Sequence, residues 1–172
     1  MAASLLTMVC AITARSKKHE ESKPELEKIR HELENLREEL ILLASEDARA
    51  YDLVVEAIKA LKTVPGETAE TALQMALKHA SEVPMRTAIT CLKVVECSTR
   101  VAELGTRSAS SDVGVAVLLA ESGFRGADMN VRINIKDIID RAFVQSAQEK
   151  LKLQEEQVRM MASKAFRTLK GP

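Results

Sequence analysis

The sequence predicts an all-α protein, one multihelical domain of long and short helices that spans residues 1–172. Alanine, leucine, glutamate and lysine dominate the composition, and these residues favour helices. Residues that break helices are scarce, with six glycines and four prolines. Leucines also recur in steps of three and four through the early part of the chain, which is the spacing of one helix face.

The charge balance argues against a nucleic-acid partner. Lys and Arg together number 25, and Asp and Glu together also number 25, so the formal net charge is zero. Proteins that bind DNA or RNA usually carry a basic excess. Only four aromatic side chains are present, which leaves few surfaces on which bases could stack: Tyr51, Phe124, Phe143 and Phe166.

The first helix is predicted from the apolar run in "MAASLLTMVCAITARSKK" and should end near Ser22. This run is shorter than the roughly 20 residues that span a membrane. A signal peptide carries its basic cluster in front of the apolar part, whereas Arg15, Lys17 and Lys18 follow it here. We therefore expect a buried helix, no membrane partner and a cytoplasmic location.

A second, very long helix is predicted from Pro24 to Lys62. Pro24 is tolerated in a first turn, and Glu25 and Glu27 suit the positive end of a helix. Unbroken, this helix would approach about 60 Å. Its apolar seam consists of Leu26, Ile29, Leu33, Leu36, Leu40 and Leu43, followed in register by Asp47, Ala50, Val54, Ala57 and Leu61.

Asp47 is the one seam position of the wrong chemical type. A buried carboxylate is costly unless it is paired, hydrogen-bonded or protonated. In one interpretation the seam ends at Leu43, and Asp47 lies at a helix break beside Ser45, exposed to water. In the other, Asp47 is a carboxylate at a cleft, where desolvation adapts it to acid–base chemistry.

The segment "VPGE" at residues 64–67 predicts a turn, followed by a third helix over 67–83. Pro84 should then open or kink a fourth helix that ends at Leu104, with Gly105 as its C-terminal cap. Ser110 or Ser111 is a candidate N-terminal cap for the next helix.

The stretch "ADMNVRINIKDII" alternates apolar and polar residues, as a strand does. No second strand is evident to pair with it, so a helix over about 112–140 is the favoured interpretation. A helix separates an apolar stripe of Val131, Ile135, Ile138 and Ala142 from a polar stripe of Asn130, Asn134, Asp137 and Arg141. The two asparagines are weak helix formers, and their amides suit a heterocycle rich in amide groups.

Two further helical patterns complete the chain. Small residues form a stripe that would let another backbone or a ligand come close: Ala116, Ala120, Gly123 and Ala127. The last helix is amphipathic through Phe143, Ala147, Leu151, Val158, Met161, Ala165 and Leu169.

The cysteines and histidines predict no metal site. Cys91 and Cys97 are six residues apart, which fits no common metal spacing, and the three histidines share no helix face with a cysteine. The three cysteines are expected to be small buried residues in a reducing compartment.

Three segments together resemble the formiminotetrahydrofolate cyclodeaminase / methenyltetrahydrofolate cyclohydrolase family. They are "SEDARAYDLVVEAIKALK", "ASEVPMRTAITCLKVVE" and "SSDVGVAVLLAESGFRGADMNVRINIKDI". The resemblance implies a helical homodimer and a folate site among the helices. It also implies either of two reactions, closure of 5-formiminotetrahydrofolate to 5,10-methenyltetrahydrofolate with release of ammonia, or addition of water to the methenyl form. Both reactions pass through a tetrahedral carbon between two nitrogens, so one acid–base carboxylate could serve either.

Carried onto this chain, the resemblance implies Asp47 as the acid–base group. It implies substrate contacts from Asp112, Asn130, Arg132 and Asn134, with Arg132 as the simplest partner for the glutamate-tail carboxylate. No cofactor is implied beyond the tetrahydrofolate derivative, which is the substrate.

The chain departs from the family pattern at two points. Family members carry Asp-x-Asp before the alanine of the first motif, and Ser45 occupies the first of these positions here. Members also begin with a Pro-Gly-Gly-Gly-Ser loop, whereas this chain starts at Met1 inside the first helix. The alternatives to an enzyme are a non-catalytic helical dimer or scaffold that keeps the fold, and a coiled-coil interaction module built on residues 26–43.

Overall fold

Five α-helices make up residues 1–170, the part of the chain described by this computed structural model. They are α1 (Ala2–Ala14), α2 (Lys23–Thr63), α3 (Glu67–Leu104), α4 (Ser110–Asn134) and α5 (Arg141–Lys170). Short 3₁₀ turns lie at Lys17–His19, Arg107–Ala109 and Ile135–Asp137. Residues 1–170 contain no strand, so the all-α prediction is confirmed.

α3 is the central helix of the fold. It packs against α2, α4 and α5. α1 packs between α2 and α4. The main hydrophobic core therefore joins all five helices, with Leu6, Leu33, Val95, Phe124 and Val158 among its most deeply buried members.

The predicted seam of α2 is buried where another helix covers it. Leu26, Ile29, Leu33, Leu36 and Leu43 are buried, and Leu40 is partly buried. Beyond Leu43 the seam thins out, since only Ala50 is buried. The predicted length of α2 is confirmed, because the helix runs unbroken for 41 residues.

Three predicted helix ends differ from the structure. α1 ends at Ala14 rather than near Ser22, because the polar residues after it enter a 3₁₀ turn. Pro84 opens no new helix: it lies inside α3, which continues for 38 residues. Neither Ser110 nor Ser111 caps α4, since Ala109 holds the cap position and no side chain bonds there.

Gly105 is the C-terminal cap of α3, as predicted, and it also gives space to the neighbouring helix. Its backbone is extended, with φ −69° and ψ 154°, and therefore does not need glycine for conformational reasons. A Cβ atom there would lie 2.6 Å from the carbonyl oxygen of Val101 and 3.4 Å from Cγ1 of Val9. The glycine thus lets the end of α3 approach α1.

The stretch "ADMNVRINIKDII" is helical through Asn134 and then forms the 3₁₀ turn, so the helical interpretation is confirmed and the strand pattern misleads. Val131, Ile135 and Ile138 of the predicted apolar stripe are buried, whereas Ala142 lies in α5 and is exposed. The link from α4 to α5 is held by α3: the Gln74 side chain donates to the carbonyl of Asp137 and accepts from the N–H of Ile139.

All three cysteines are free and buried. Burial raises the pKa of the Cys10 and Cys91 thiols to about 11, and that of Cys97 to about 12. The thiols are therefore protonated at neutral pH and lack the reactivity of a thiolate.

Within residues 1–170, no helix has the length and apolar character needed to cross a bilayer.

Leu33 tests whether the α1–α2 contact supports the fold. Its side chain is fully buried, so Leu33→Ala should lower the free energy of unfolding by about 2–5 kcal/mol. The matched control is Leu153→Ala on α5, because Leu153 is 60% exposed and should change stability by less than about 0.5 kcal/mol. Urea denaturation followed by circular dichroism measures both changes. Equal losses of unfolding free energy in the two variants would contradict the burial of Leu33 in the core.

Candidate functional site

α1 fills only part of the space between α2 and α4. Its first residues, Met1 to Ala3, border an apolar cavity of about 230 Å³ together with Leu40 of α2 and Gly123 of α4. Cys91 and Val94 of α3 form the floor of this cavity. Cavities that enclose drug-sized ligands are larger, roughly 300–1,000 Å³, so this one has room for a single ring system at most.

Past Met1, α2 and α4 both continue along α3, and we infer an open groove between them. We call it the α2–α4 groove and define it by Asp47 and Tyr51 on α2 and by Gly126 and Asn130 on α4. Leu33, Leu40 and Asp47 are spaced by seven residues, so they share one face of α2. Leu33 is covered by the core that contains α1, Leu40 borders the cavity, and Asp47 is exposed. The apolar seam of α2 therefore gives way to an aspartate beyond the stretch that the residues of α1 cover.

Asp47 is exposed, as the first interpretation holds, but no helix break accompanies it, because α2 is continuous there. Asp47 lies two turns, about 10 Å, beyond Leu40 on the same helix. A ligand that enters the apolar cavity could therefore reach its carboxylate.

Two polar contacts connect α2 and α4, which form the walls of the groove, to the same part of α3. Arg86 of α3 donates to both carboxylate oxygens of Glu46, at 2.7 and 2.9 Å, next to Asp47 on α2. Asn134 of α4 donates through Nδ2 to the carbonyl oxygen of Ala80 at 2.5 Å. Ala80 and Arg86 are six residues apart, about 9 Å along α3. The segments "SEDARAY", "EVPMR" and "NVRIN" therefore meet around the middle of α3.

The two predicted asparagines, Asn130 and Asn134, differ in exposure and in hydrogen bonding. Asn130 is exposed, and it lies seven residues after Gly123 of the cavity wall, on the same face of α4. Its amide is therefore free to meet a ligand in the groove. Asn134 is partly buried, and its amide N–H is already used by Ala80.

Two other predicted residues lie away from the groove. Arg132 is two positions after Asn130, about 200° around the helix, and its Nε donates to Oδ2 of Asp128 at 2.8 Å. That hydrogen bond also raises the pKa of Arg132. Asp112 lies in the first turn of α4, 18 residues or about 27 Å before Asn130. Asp112 is therefore distant from Asn130 along α4, and Arg132 points away from Asn130 and is engaged by Asp128.

Sequence reasoning missed two residues of the groove. Tyr51 lies one turn after Asp47 on the same face of α2 and is 67% exposed. Gly126 faces open space, since a Cβ atom there would meet nothing within 4 Å. The signal for Tyr51 was available, because it is the last residue of the "EDARAY" motif.

A second cavity, of about 840 Å³, lies near the opposite end of α4. It is lined by the basic side chains Lys18, His19 and Arg107, among others. Neither cavity is lined by any of the five predicted site residues. Among residues 1–170, no group of three His, Cys, Asp or Glu side chains could hold a metal ion.

The sequence and the fold are both similar to known proteins. The chain is 37% identical to a methenyltetrahydrofolate cyclohydrolase of Methylorubrum extorquens over 154 residues, which are 88% of this chain and 73% of that protein. It is 36% identical to the formimidoyltransferase-cyclodeaminase of Mus musculus over 115 residues, 66% of this chain and 21% of that protein. The chain thus spans about a fifth of the length of that protein.

A solved structure matches nearly the whole chain. The formiminotetrahydrofolate cyclodeaminase of Thermotoga maritima superposes with a TM-score of 0.91 and 32% sequence identity, covering 99% of this chain and 82% of that one. The sequence profile of the formiminotransferase-cyclodeaminase family matches residues 1–153. That range includes both walls of the groove and its floor, and the chain belongs to the formiminotransferase-cyclodeaminase family.

Proposed function

We propose that this protein is a folate-dependent one-carbon enzyme. Its substrate is a tetrahydrofolate derivative that carries one carbon at N5 or between N5 and N10. The observation that carries the proposal is the similarity to a methenyltetrahydrofolate cyclohydrolase over 88% of this chain and 73% of the relative. The helix registers support it as well, since Asp47 and Asn130 lie seven residues beyond Leu40 and Gly123 of the apolar cavity, on the same faces of α2 and α4.

Either reaction needs a proton carrier near one carbon atom. In the deaminase reaction, N10 attacks the formimino carbon and loses its proton, and the former imine nitrogen takes up protons and leaves as ammonia. In the hydrolase reaction, water loses a proton as it adds to the carbon between N5 and N10, and the departing nitrogen gains one. Asp47 can accept and return the proton in both cases.

A substrate bound in the groove would strengthen the effect of Asp47. A ring system over the carboxylate displaces water, and electrostatic interactions are stronger in a site from which water is excluded. The exposed ring of Tyr51, one turn away, offers a face on which a pterin can stack. The amide of Asn130 can donate to and accept from the amide groups of a pterin.

A non-catalytic scaffold is the second candidate. It is favoured by Ser45 at the first position of the family's Asp-x-Asp pattern, which leaves Asp47 as the only carboxylate of that pair. The two candidates differ in turnover and not in fold.

The protein is further proposed to work as a homodimer in the cytoplasm. α4 carries an exposed stripe without charged residues, at spacings of three, four and seven: Val115, Leu118, Leu119, Ser122, Gly126, Met129 and Ile133. It runs for about 27 Å. Monomers rarely expose a continuous apolar patch of this kind, so a second copy is the partner that it fits.

The three free cysteines favour a reducing compartment.

The wild-type protein should turn over one of the two folate substrates. The assay follows the absorbance of 5,10-methenyltetrahydrofolate, which should appear from 5-formiminotetrahydrofolate or disappear on hydrolysis. A folded protein that turns over neither substrate would contradict the enzyme proposal and favour the scaffold.

Replacement of Asp47 by Asn should lower kcat by about 100-fold or more, because the amide cannot carry the proton. The matched control is Asp52→Asn, an exposed carboxylate on the same helix about 140° away around its axis, which should retain activity. Equal kcat values for both variants would remove Asp47 from the mechanism.

The charged replacement Leu118→Glu should turn the dimer into a monomer, because it places a carboxylate in the centre of the α4 stripe. Sedimentation velocity at micromolar concentration measures the change. Leu153→Glu, at a comparably exposed leucine of α5, should leave the dimer intact. A wild-type protein that sediments as a monomer would contradict the dimer.

A further inference from the structure

Pro84 leaves a gap in the hydrogen bonding of α3. Inside an α-helix, the N–H of each residue donates to the carbonyl four residues earlier, and proline has no N–H. Pro84 is buried in the middle of α3, so the carbonyl of Ala80 loses its helical donor. A buried carbonyl without a donor costs free energy, and such groups in proteins almost always have a partner.

Asn134 supplies the missing donor from another helix. Its Nδ2 lies 2.5 Å from the oxygen of Ala80, and 54 residues separate the two in sequence. Asn134 is partly buried at the last turn of α4. A side-chain amide of α4 thus takes the place of a backbone amide of α3.

The same stretch of α3 also holds α2. Arg86, two residues after Pro84, donates from Nη1 to both carboxylate oxygens of Glu46, the residue before Asp47. Ala80 and Arg86 lie six residues, about 9 Å, apart on α3, so one short stretch of this helix makes both contacts. Through the side chains of Asn134 and Arg86, this stretch of α3 links the α4 wall of the groove to its α2 wall.

From these contacts we infer that Asn134 is a positioning residue: its amide substitutes for the absent N–H of residue 84 and thereby sets the spacing between the two walls of the α2–α4 groove. The site that it positions is that of the proposed function. Asn134 itself contacts no substrate in this role, although its neighbour Asn130 is free to do so.

A double-mutant cycle tests whether the amide of Asn134 replaces the missing N–H of residue 84 as the donor to the carbonyl of Ala80. In the native background, Asn134→Ala should lower the melting temperature by about 3–8 °C, because the carbonyl of Ala80 loses its donor. In the Pro84→Ala background, residue 84 has an N–H that can bond to Ala80, so the same replacement should cost less than about 2 °C.

Gln74→Ala is the matched control for this cycle. It removes two hydrogen bonds between α3 and the α4–α5 link without touching the carbonyl of Ala80. Its effect should therefore be the same with Pro84 and with Ala at that position. Equal losses for Asn134→Ala in the two backgrounds would overturn the inference.

The spacing of the walls can be measured directly. Spin labels at Ser45→Cys and Arg125→Cys, exposed positions outside the α4 stripe, report the distance between α2 and α4 by double electron–electron resonance when labelled protein is diluted with unlabelled protein. The three native thiols are buried and should not react, and the chain without introduced cysteines checks this. Asn134→Ala should broaden or shift the distance distribution, and Pro84→Ala in the same chain should restore it.

Activity provides the last readout. The kcat lost in Asn134→Ala should recover in the double variant, as expected of a residue that acts by positioning. Loss that persists in the double variant would overturn the inference, since Asn134 would then act on the substrate itself. The stability cycle and the distance measurement need no turnover. A wild type without activity would therefore refute the proposed function alone, and the two structural readouts would still decide the role of Asn134.

Discussion

Burial of α3 among three other long helices is the constraint on which the rest of the structure depends. α2, α4 and α5 all pack against it. Small side chains make this close approach possible: a Cβ atom at Gly123 of α4 would lie 2.9 Å from the Sγ atom of Cys91. Because both neighbours are fixed relative to α3, the space between them is defined as well. α1 fills part of that space and the proposed site occupies the next part.

The position of Asp47 follows from this arrangement. The seven-residue spacing of α2 directs Leu33, Leu40 and Asp47 to one face, and α1 covers only the first part of that face. A leucine at position 47 would add apolar surface to an exposed region, whereas an aspartate there is hydrated. The aspartate therefore carries no burial cost in the single chain, and its carboxylate is available to a ligand. This explains why a charged residue can continue an apolar seam without a break in the helix.

Much of the fold could be predicted from the sequence, because local patterns determine it. The length of α2, the turn at residues 64–67 and the buried face of residues 131–138 all follow from the spacing of apolar residues and from turn residues. The continuity of α3 through Pro84 could not be predicted, because its missing donor comes from Asn134, 50 residues later. The same limit applies to the site, since spacing cannot reveal that Arg132 is engaged by Asp128 or that Asp112 lies at the far end of α4. The resemblance to a folate family identified the motifs, and the structure showed which of them meet.

The central claim is that the tetrahydrofolate derivative binds in the α2–α4 groove, beside the first residues of α1. The most direct measurement is a crystal structure with 5-formyltetrahydrofolate, a stable derivative that carries its carbon at N5. The account predicts ligand density in contact with Asp47 and Asn130, with the ring near the apolar cavity at Leu40 and Gly123. Density confined to the cavity beside Lys18 and Arg107 would contradict it.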